Sequence, residues 1–276
     1  MRRPLEQILA GIQRLEPLPA VAMRVLEIAR REDLVPSDLV SIIETDAALT
    51  ARVLKLANSS LFGFARVIAT LSEAGNALGT SPLTGLVLTS CTGRWFQSFG
   101  AQDPEERKRA WELSIASALS AQLLARLSGA VDPHRAYTAG LLQDIGELCI
   151  ARFLPEEAAA VTAAIARGED RLLAERATLG LDHAEIGARL AEQWGLPAAL
   201  VDAIRMHHEP ERSKQDPLLA TYVGLGHQMA LCLVAPHRAG DWDSSEHLAA
   251  AGFVPAEIEV ELIARLAAAR NFVDCA

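Results

Sequence analysis

The sequence predicts an all-α fold, and three observations support that prediction. Apolar residues recur at three- and four-residue steps through much of the chain, as they do along one face of a helix. Serine and aspartate residues that can cap helices precede several of these segments, and proline often follows them. Alternating runs of β-branched residues, which would indicate strands, are scarce.

The N-terminal part of the chain contains three predicted helices. Between residues 18 and 29 the apolar residues have helical spacing, which predicts the first helix. Ser37 is expected to cap the second helix and Asp46 the third, because a short side-chain oxygen can accept a hydrogen bond from a free N–H of the first turn.

Further caps predict the later helices. Ser81 and Asp103 each precede a proline, a residue that suits the first position of a helix. Asp182 and Glu185 have the spacing of a capping box, in which each side chain bonds to the backbone of the other residue. The Gly-Leu-Pro segment at 195–197 is expected to end one helix and open another.

The chain is expected to form two helical lobes, residues 1–100 and 101–276, because a polar, glycine-containing segment lies near residue 100. Residues 236–254, which include Trp242, interrupt the helical pattern and form a candidate contact loop. A last helix is predicted from Pro255 to Phe272. Its apolar face should dock on the core or on a partner.

Composition and charge exclude several classes of function. Apolar residues make up 50% of the 276 residues, enough for a sizeable core. No apolar run approaches the roughly 18 to 20 residues that cross a bilayer, so no membrane association is expected. The formal net charge of −9 disfavours binding to nucleic acid, since such binding gains affinity from a basic surface.

Cysteine usage and the N-terminus predict a cytoplasmic protein. The four cysteines are scattered without any C-x-x-C spacing, which argues against a disulfide framework or a thiolate metal site. The first residues are followed by an amphipathic pattern and not by the apolar segment of a secretory signal.

The segment GLLQDIG at residues 140–146 resembles the metal motif of HD phosphohydrolases, with glutamine in place of the histidine. In those enzymes a His-Asp doublet and further ligands from other helices hold one or two divalent metals that activate a water. Gln143 offers only a weakly basic amide oxygen where an imidazole would donate a lone pair. We therefore expect a metal ligand to be lost here.

Further motifs, in order along the chain, resemble those of the HDOD domain, the HD-related output domain of bacterial signalling proteins. They are LEPLP at 15–19, IIETDAALT at 42–50, LKLANSSLF at 54–62, Leu78-Gly79, the segment at 140–146, the segment from Gly187 to Pro197, and His207-His208. The resemblance covers residues 15–235 and implies a two-lobed, HD-like helical fold. Ala47 departs from it, since the family usually has proline there.

The resemblance also allows the metal-ligand positions of catalytic HD domains to be compared with this chain. Leu113 stands at the position of the first histidine ligand, and its apolar side chain cannot coordinate a metal. Gln143 replaces the histidine of the doublet, whereas Asp144 keeps the carboxylate. The later histidine positions correspond to His183, His207 and His208, and His227 lies near the position of a final aspartate.

Structural roles are the first interpretation of these retained polar residues. Asp144 is expected within a helix, satisfied by a neighbouring histidine or a backbone amide. His183 is predicted to be a surface or capping residue, and His207 and His208 to be imidazolium groups near a helix C-terminus. The alternative is that His227 replaces the missing carboxylate. It would then rebuild a metal site with Asp144, His183 and His207.

Two functions of different classes follow from this comparison. The loss of ligand positions favours a catalytically inactive module, without a cofactor, that relays signals through protein–protein interaction in bacterial signal transduction. The alternative is a metal-dependent phosphohydrolase or cyclic-dinucleotide phosphodiesterase with Asp144 and the histidines as ligands. A third hypothesis is a sensor whose pocket binds a nucleotide without cleaving it. The sequence identifies neither the protein partner nor the oligomeric state.

Overall fold

The computed structural model describes residues 19–29, 33–99, 104–235 and 251–269, together with residues 10, 31 and 247–249. These ranges contain fourteen α-helices of eight residues or more and no strand, in agreement with the predicted all-α class. The helices, numbered in chain order, are α1 (Ala20–Ile28), α2 (Pro36–Ile43), α3 (Ala47–Ala57), α4 (Leu71–Leu78), α5 (Thr80–Phe99), α6 (Pro104–Ser128), α7 (Pro133–Leu142), α8 (Ile145–Phe153), α9 (Pro155–Ala166), α10 (Arg171–Leu179), α11 (His183–Gln193), α12 (Ala198–Met206), α13 (Pro217–Val234) and α14 (Pro255–Ala268).

Two of the predicted caps are confirmed, and two are wrong by a residue or two. The side chains of Asp46 and Asp182 each accept a hydrogen bond from a backbone N–H in the first turn of the following helix. Ser37 is not a cap, because α2 already begins at Pro36, whose ring fixes a helical φ. Ser81 is also inside a helix, since α5 begins at Thr80.

The first four helices pack around α5, which joins the two halves of the molecule. α5 contacts α1, α2, α3 and α4 on one side and α6, α7 and α8 on the other. A single cluster of buried apolar residues runs through both halves. The division into two lobes near residue 100 stays a prediction, and residues 100–103 lie outside the described ranges.

The second half is built on α6, which lies between α7 and α13. Two glycines allow this close packing. A Cβ on Gly140 would lie 3.0 Å from the Cα of Ala118, and a Cβ on Gly226 would lie 2.6 Å from the backbone N of Ala121. Only the absence of a side chain lets both helices approach the α6 backbone.

α13 is the one described helix long and apolar enough to span a membrane by length and composition. Its apolar residues do not form a continuous run, because His227 and three glycines or threonines interrupt them. In the fold, 56% of the helix is buried, and it packs against α6, α7 and α12. This burial is typical of a core helix. Mean hydropathy alone cannot distinguish a buried core helix from a membrane-spanning helix.

The predicted C-terminal helix docks on the core. α14 buries Ile258 and Leu262 and packs against α6. It ends at Ala268, and residues 270–276 lie outside the described ranges. Most of the candidate contact loop, residues 236–246 with Trp242, also lies outside them.

Candidate functional site

Asp144 lies at the junction between α7 and α8 and not inside a helix as predicted. α7 ends at Leu142, and Asp144 occupies the N-cap position of α8 without bonding to its backbone. The residue is only 8% exposed. Its side chain is therefore free of a capping role and is directed into the protein, where three imidazoles face it.

His183 is the first residue of α11 and is buried, so the prediction of a surface residue is wrong. The reason is a close contact between two helix starts. A Cβ on Gly146 would lie 2.0 Å from the carbonyl oxygen of His183 and 2.8 Å from the backbone N of Gly187. Glycine at position 146 thus allows α8 to cover the first turn of α11 and brings His183 next to Asp144.

His207 and His208 follow the last residue of α12, as the sequence predicts. His207 is the C-cap residue and is buried, whereas His208 is half-buried. A Cβ on Gly224 would lie 2.3 Å from the carbonyl oxygen of His207. α13 therefore crosses directly over this helix end and removes His207 from solvent.

His227 projects from α13 toward the same junction. Its Nδ1 lies 3.2 Å from Oδ2 of Asp144 and also forms a hydrogen bond with the side-chain amide of Gln143. Gln143 itself is fully buried. Gln143 and His227 are therefore bonded to each other. Both residues depart from the HD pattern at this end of the site.

The four histidines and Asp144 form a single buried group, here called the His-Asp cluster. Oδ1 of Asp144 lies 3.5 Å from Nε2 of His183 and 3.7 Å from Nε2 of His207. Nε2 of His208 lies 3.0 Å from Nε2 of His183. The structure thus brings together every polar residue that the sequence singled out as a remnant of the HD pocket.

Two acceptors fix the orientation of the buried imidazoles. Nδ1 of His183 lies 2.7 Å from Oε2 of Glu175, and Nδ1 of His207 lies 2.7 Å from the carbonyl oxygen of Ile204. A carboxylate and a carbonyl can only accept, so in both rings Nδ1 carries the proton and donates. In each ring Nε2 is then the atom directed at Asp144.

Burial and mutual repulsion keep two of the histidines neutral. Burial is the main cause that lowers the pKa of His207, to about 4, and the charge of Asp144 only partly opposes it. The pKa of His208 is also well below its usual value, chiefly because of burial and then because of His207 and His183. The predicted imidazolium pair at the end of α12 is therefore wrong.

His183 and Asp144 carry the charge of the cluster. Burial acts to lower the pKa of His183, but Glu175 and Asp144 outweigh it and raise that pKa to about 10. Burial likewise acts to raise the pKa of Asp144, but its interactions with His227 and His183 outweigh burial and hold that pKa well below its usual value. In this state a proton on Nε2 of His183 lies between Asp144 and His208.

Several polar atoms of the cluster have no hydrogen-bond partner in the described part of the protein. They are both carboxylate oxygens of Asp144, Nε2 of His207 and Oε1 of Gln143. Buried polar groups are nearly always paired, and an unpaired one costs about 1 to 3 kcal/mol. These atoms can therefore accept a further donor or a cation in addition to their contacts within the cluster.

A cavity of about 430 Å³ adjoins the cluster on the side of Asp144 and Glu175. Leu113 lies in its wall, where the resemblance to HD enzymes would place a histidine. The ionisable residues of the wall are Glu106, Arg109, Asp144, Glu147, Arg171 and Glu175. With four carboxylates and two guanidinium groups, the lining favours cations over anions.

Glu175 and the residues that hold it were not predicted from the sequence. Glu175 is 2% exposed, and Arg171 lies 3.6 Å from its Oε1 and 2.8 Å from Oε1 of Glu147. Glu175 precedes His183 by eight residues and belongs to another helix. No helical periodicity connects the two residues, so the only available signal was an acidic residue within the apolar spacing of α10.

Comparison with known proteins agrees with the fold and the motifs. Residues 15–210 match the HDOD domain family. An uncharacterised protein of Treponema pallidum (strain Nichols) is 33% identical over 217 residues, which cover 75% of this chain and 41% of that protein. The chain thus spans about two fifths of the length of that relative.

Two crystal structures are similar over nearly the whole chain. An HDOD domain protein of unknown function from Geobacter sulfurreducens has a TM-score of 0.79 and 25% identity, covering 98% of this chain and 97% of its own. A protein from Shewanella amazonensis SB2B with the provisional name of phosphohydrolase has a TM-score of 0.81 and 28% identity, with the same coverage. Because the family match extends over more than half of the sequence, this chain belongs to the HDOD domain family.

Proposed function

We propose that this chain is a regulatory module of bacterial signal transduction that acts through protein contacts and does not hydrolyse phosphodiesters. The observation that carries the proposal is the asymmetry around Asp144. Histidines surround one side of its carboxylate, whereas Leu113 and the bonded pair of Gln143 and His227 occupy the positions that the HD resemblance assigns to further ligands.

Hydrolysis by an HD centre requires a metal with an open position for an activated water. Leu113 contributes no donor, and the Nδ1 of His227 is engaged by Gln143. A second metal beside Asp144 would therefore lack the ligands that these two positions supply in the HD pattern. Without a second metal, the attacking and leaving oxygens of a phosphodiester have no two-metal clamp.

The charge of the adjoining cavity argues against the third hypothesis, a sensor whose pocket binds a nucleotide without cleaving it. Its wall carries four carboxylates and two guanidinium groups, and Arg171 is already paired with Glu147. A phosphate group entering this cavity would meet net negative charge. The hydrolase and the sensor both require binding of a phosphate ester, so this feature weighs against both.

A turnover assay tests the proposal. The full chain is incubated with bis(p-nitrophenyl) phosphate, and separately with a cyclic dinucleotide, in the presence of Mn²⁺, Fe²⁺ or Zn²⁺. We expect no release of product above that of the Asp144→Ala variant under any condition. Turnover that is lost in Asp144→Ala and kept in His134→Ala, which changes a histidine outside the cluster, would overturn the proposal.

The relay through protein contacts has its own test. If the module acts through a partner, the chain isolated gently from its own host should form a complex of fixed stoichiometry in native mass spectrometry. A free chain under all growth conditions would contradict this part of the proposal. Such a role also fits a reducing cytoplasm, where the buried residues Cys91 and Cys149 form no disulfide.

A further inference from the structure

We propose that Asp144, His183, His207 and His208 form a mononuclear site for a divalent late first-row transition metal, with Zn²⁺ as its reference ion. The site does not depend on the regulatory role proposed above. It is a binding property of the cluster, and it differs from the rebuilt site considered from the sequence because His208 replaces His227 as a ligand.

The spacing of the donor atoms fits one ion. A tetrahedral ion with imidazole and carboxylate ligands at about 2.0 to 2.1 Å holds neighbouring ligand atoms about 3.3 Å apart. In the cluster, Nε2 of His183 lies 3.0 Å from Nε2 of His208 and 3.5 Å from Oδ1 of Asp144. Nε2 of His207 lies 3.7 Å from the same oxygen. The ligand atoms of His183, His207 and His208 all lie within 4.8 Å of one another, so the three imidazoles can reach one ion, and Oδ1 of Asp144 lies beside two of them.

The other ring nitrogens are held as they are in metal-binding histidines. A ligating imidazole usually donates its second N–H to a carboxylate or a backbone carbonyl, which fixes the ring and raises its basicity. The carboxylate of Glu175 accepts this hydrogen bond from His183, and the carbonyl of Ile204 accepts it from His207.

The unpaired atoms point to a missing ligand. Both oxygens of Asp144 and Nε2 of His207 are buried and accept no hydrogen bond from the described protein atoms. A cation bound between them satisfies the carboxylate and the imidazole at once. The acidic cavity beside Asp144 and Glu175 supplies a route by which a cation can enter.

The donor set favours zinc-like ions over magnesium or calcium. Three imidazoles and one carboxylate suit Zn²⁺, Ni²⁺, Co²⁺ or Fe²⁺, whereas Mg²⁺ and Ca²⁺ prefer oxygen ligands. His227 is not among the proposed ligands, since Nδ1, the nitrogen that it directs at Asp144, is bonded to Gln143. Four protein ligands fill a tetrahedral shell and leave no open position, which is typical of a structural site.

Titration of the metal-free full chain tests this proposal. The protein is stripped with a chelator, and Zn²⁺ is added in a calorimeter while Co²⁺ is added in parallel and followed by its visible absorption. We expect one ion per chain with a Kd below about 1 μM. The Co²⁺ spectrum should have the intense bands of four-coordinate geometry.

Variants distinguish this site from adventitious binding. His208→Ala, at a half-buried position, should weaken Zn²⁺ binding at least about 100-fold, because even the loss of an outer hydrogen-bond partner costs 10- to 100-fold. The control His134→Ala should keep the affinity within a few-fold, and His227→Ala, which removes a ring beside the ligand Asp144, should weaken binding less than His208→Ala does. Absence of stoichiometric binding, or binding that His208→Ala leaves unchanged, would overturn the proposal. Neither result depends on whether the chain hydrolyses a phosphodiester.

Discussion

Glu175 binds His183 twice. Oε2 of the carboxylate accepts a hydrogen bond from the backbone N–H of His183 at 2.8 Å and another from Nδ1 of its ring at 2.7 Å. The first bond satisfies a free N–H at the start of α11, and the second fixes the direction of the ring. One buried carboxylate on α10 therefore determines both the position and the orientation of a residue on α11.

Replacement of Glu175 should strongly destabilise the fold. In Glu175→Ala the charged ring of His183 is left buried without its partner, and we expect the free energy of unfolding to fall by about 3 to 5 kcal/mol. Glu175→Gln should lose less, because its amide oxygen can still accept one bond. Urea unfolding measures both. The control is Glu169→Ala at an exposed ion pair, which should change the free energy by less than about 1 kcal/mol.

Two glycine substitutions should change the free energy of unfolding in opposite directions. Gly146→Ala places a Cβ against the carbonyl oxygen of His183, and we expect a loss of about 3 kcal/mol or more as α8 and α11 separate. Gly85→Ala meets only the ring of Tyr137 at 3.5 Å and should stabilise α5 by about 0.5 to 1 kcal/mol. Thermal unfolding of the two variants measures both changes in stability. Equal effects would contradict the close packing of α8 on α11.

Local features of the fold were predictable from the sequence. Asp46 and Asp182 start their helices as expected, because a cap depends only on residues within one turn. The order of the motifs also identified the family and its all-α class. The cap was wrongly assigned to Ser37, because the helix starts at Pro36, two residues earlier than a cap at Ser37 implies.

The chemistry of the site was not predictable in the same way. The burial of His183 depends on glycine at position 146 and on Glu175, and these contacts form only when three helices meet. From sequence spacing alone, His207 and His208 at a helix end were expected to be charged. α13 covers that end, and the resulting burial lowers both pKa values. Two predictions were therefore wrong because of packing between helices: the surface position of His183, and the charged state of His207 and His208.

Asp202 should make stability depend on pH in the acid range. Its Oδ2 accepts hydrogen bonds at 2.7 to 3.0 Å from the side chain of Ser213 and the backbone N–H groups of Lys214 and Gln215. Burial acts to raise the pKa of Asp202, but these three donors outweigh it and lower the pKa below its usual value. The contribution to stability is therefore present above the unfolded pKa of about 3.9 and is lost as pH falls through the lower folded pKa.

The variant Asp202→Asn isolates this contribution. At pH 7 it should reduce the free energy of unfolding by about 1 to 3 kcal/mol, since hydrogen bonds to a charged acceptor become bonds to a neutral one. The difference from the unaltered chain should shrink as pH falls below about 4. Urea unfolding at several pH values measures it. A difference that is constant between pH 7 and pH 3 would contradict the assignment.

Metal binding should slow amide hydrogen exchange in one part of the molecule. The four proposed ligands connect the junction of α7 and α8 with the start of α11 and the end of α12. A bound ion must be released before these elements open locally, so saturating Zn²⁺ should slow exchange there by at least about 10-fold. α3 lies in the other half of the molecule and should exchange at the same rate with and without Zn²⁺. In His208→Ala the protection should disappear, whereas protection spread evenly over all helices would indicate a nonspecific effect of the ion.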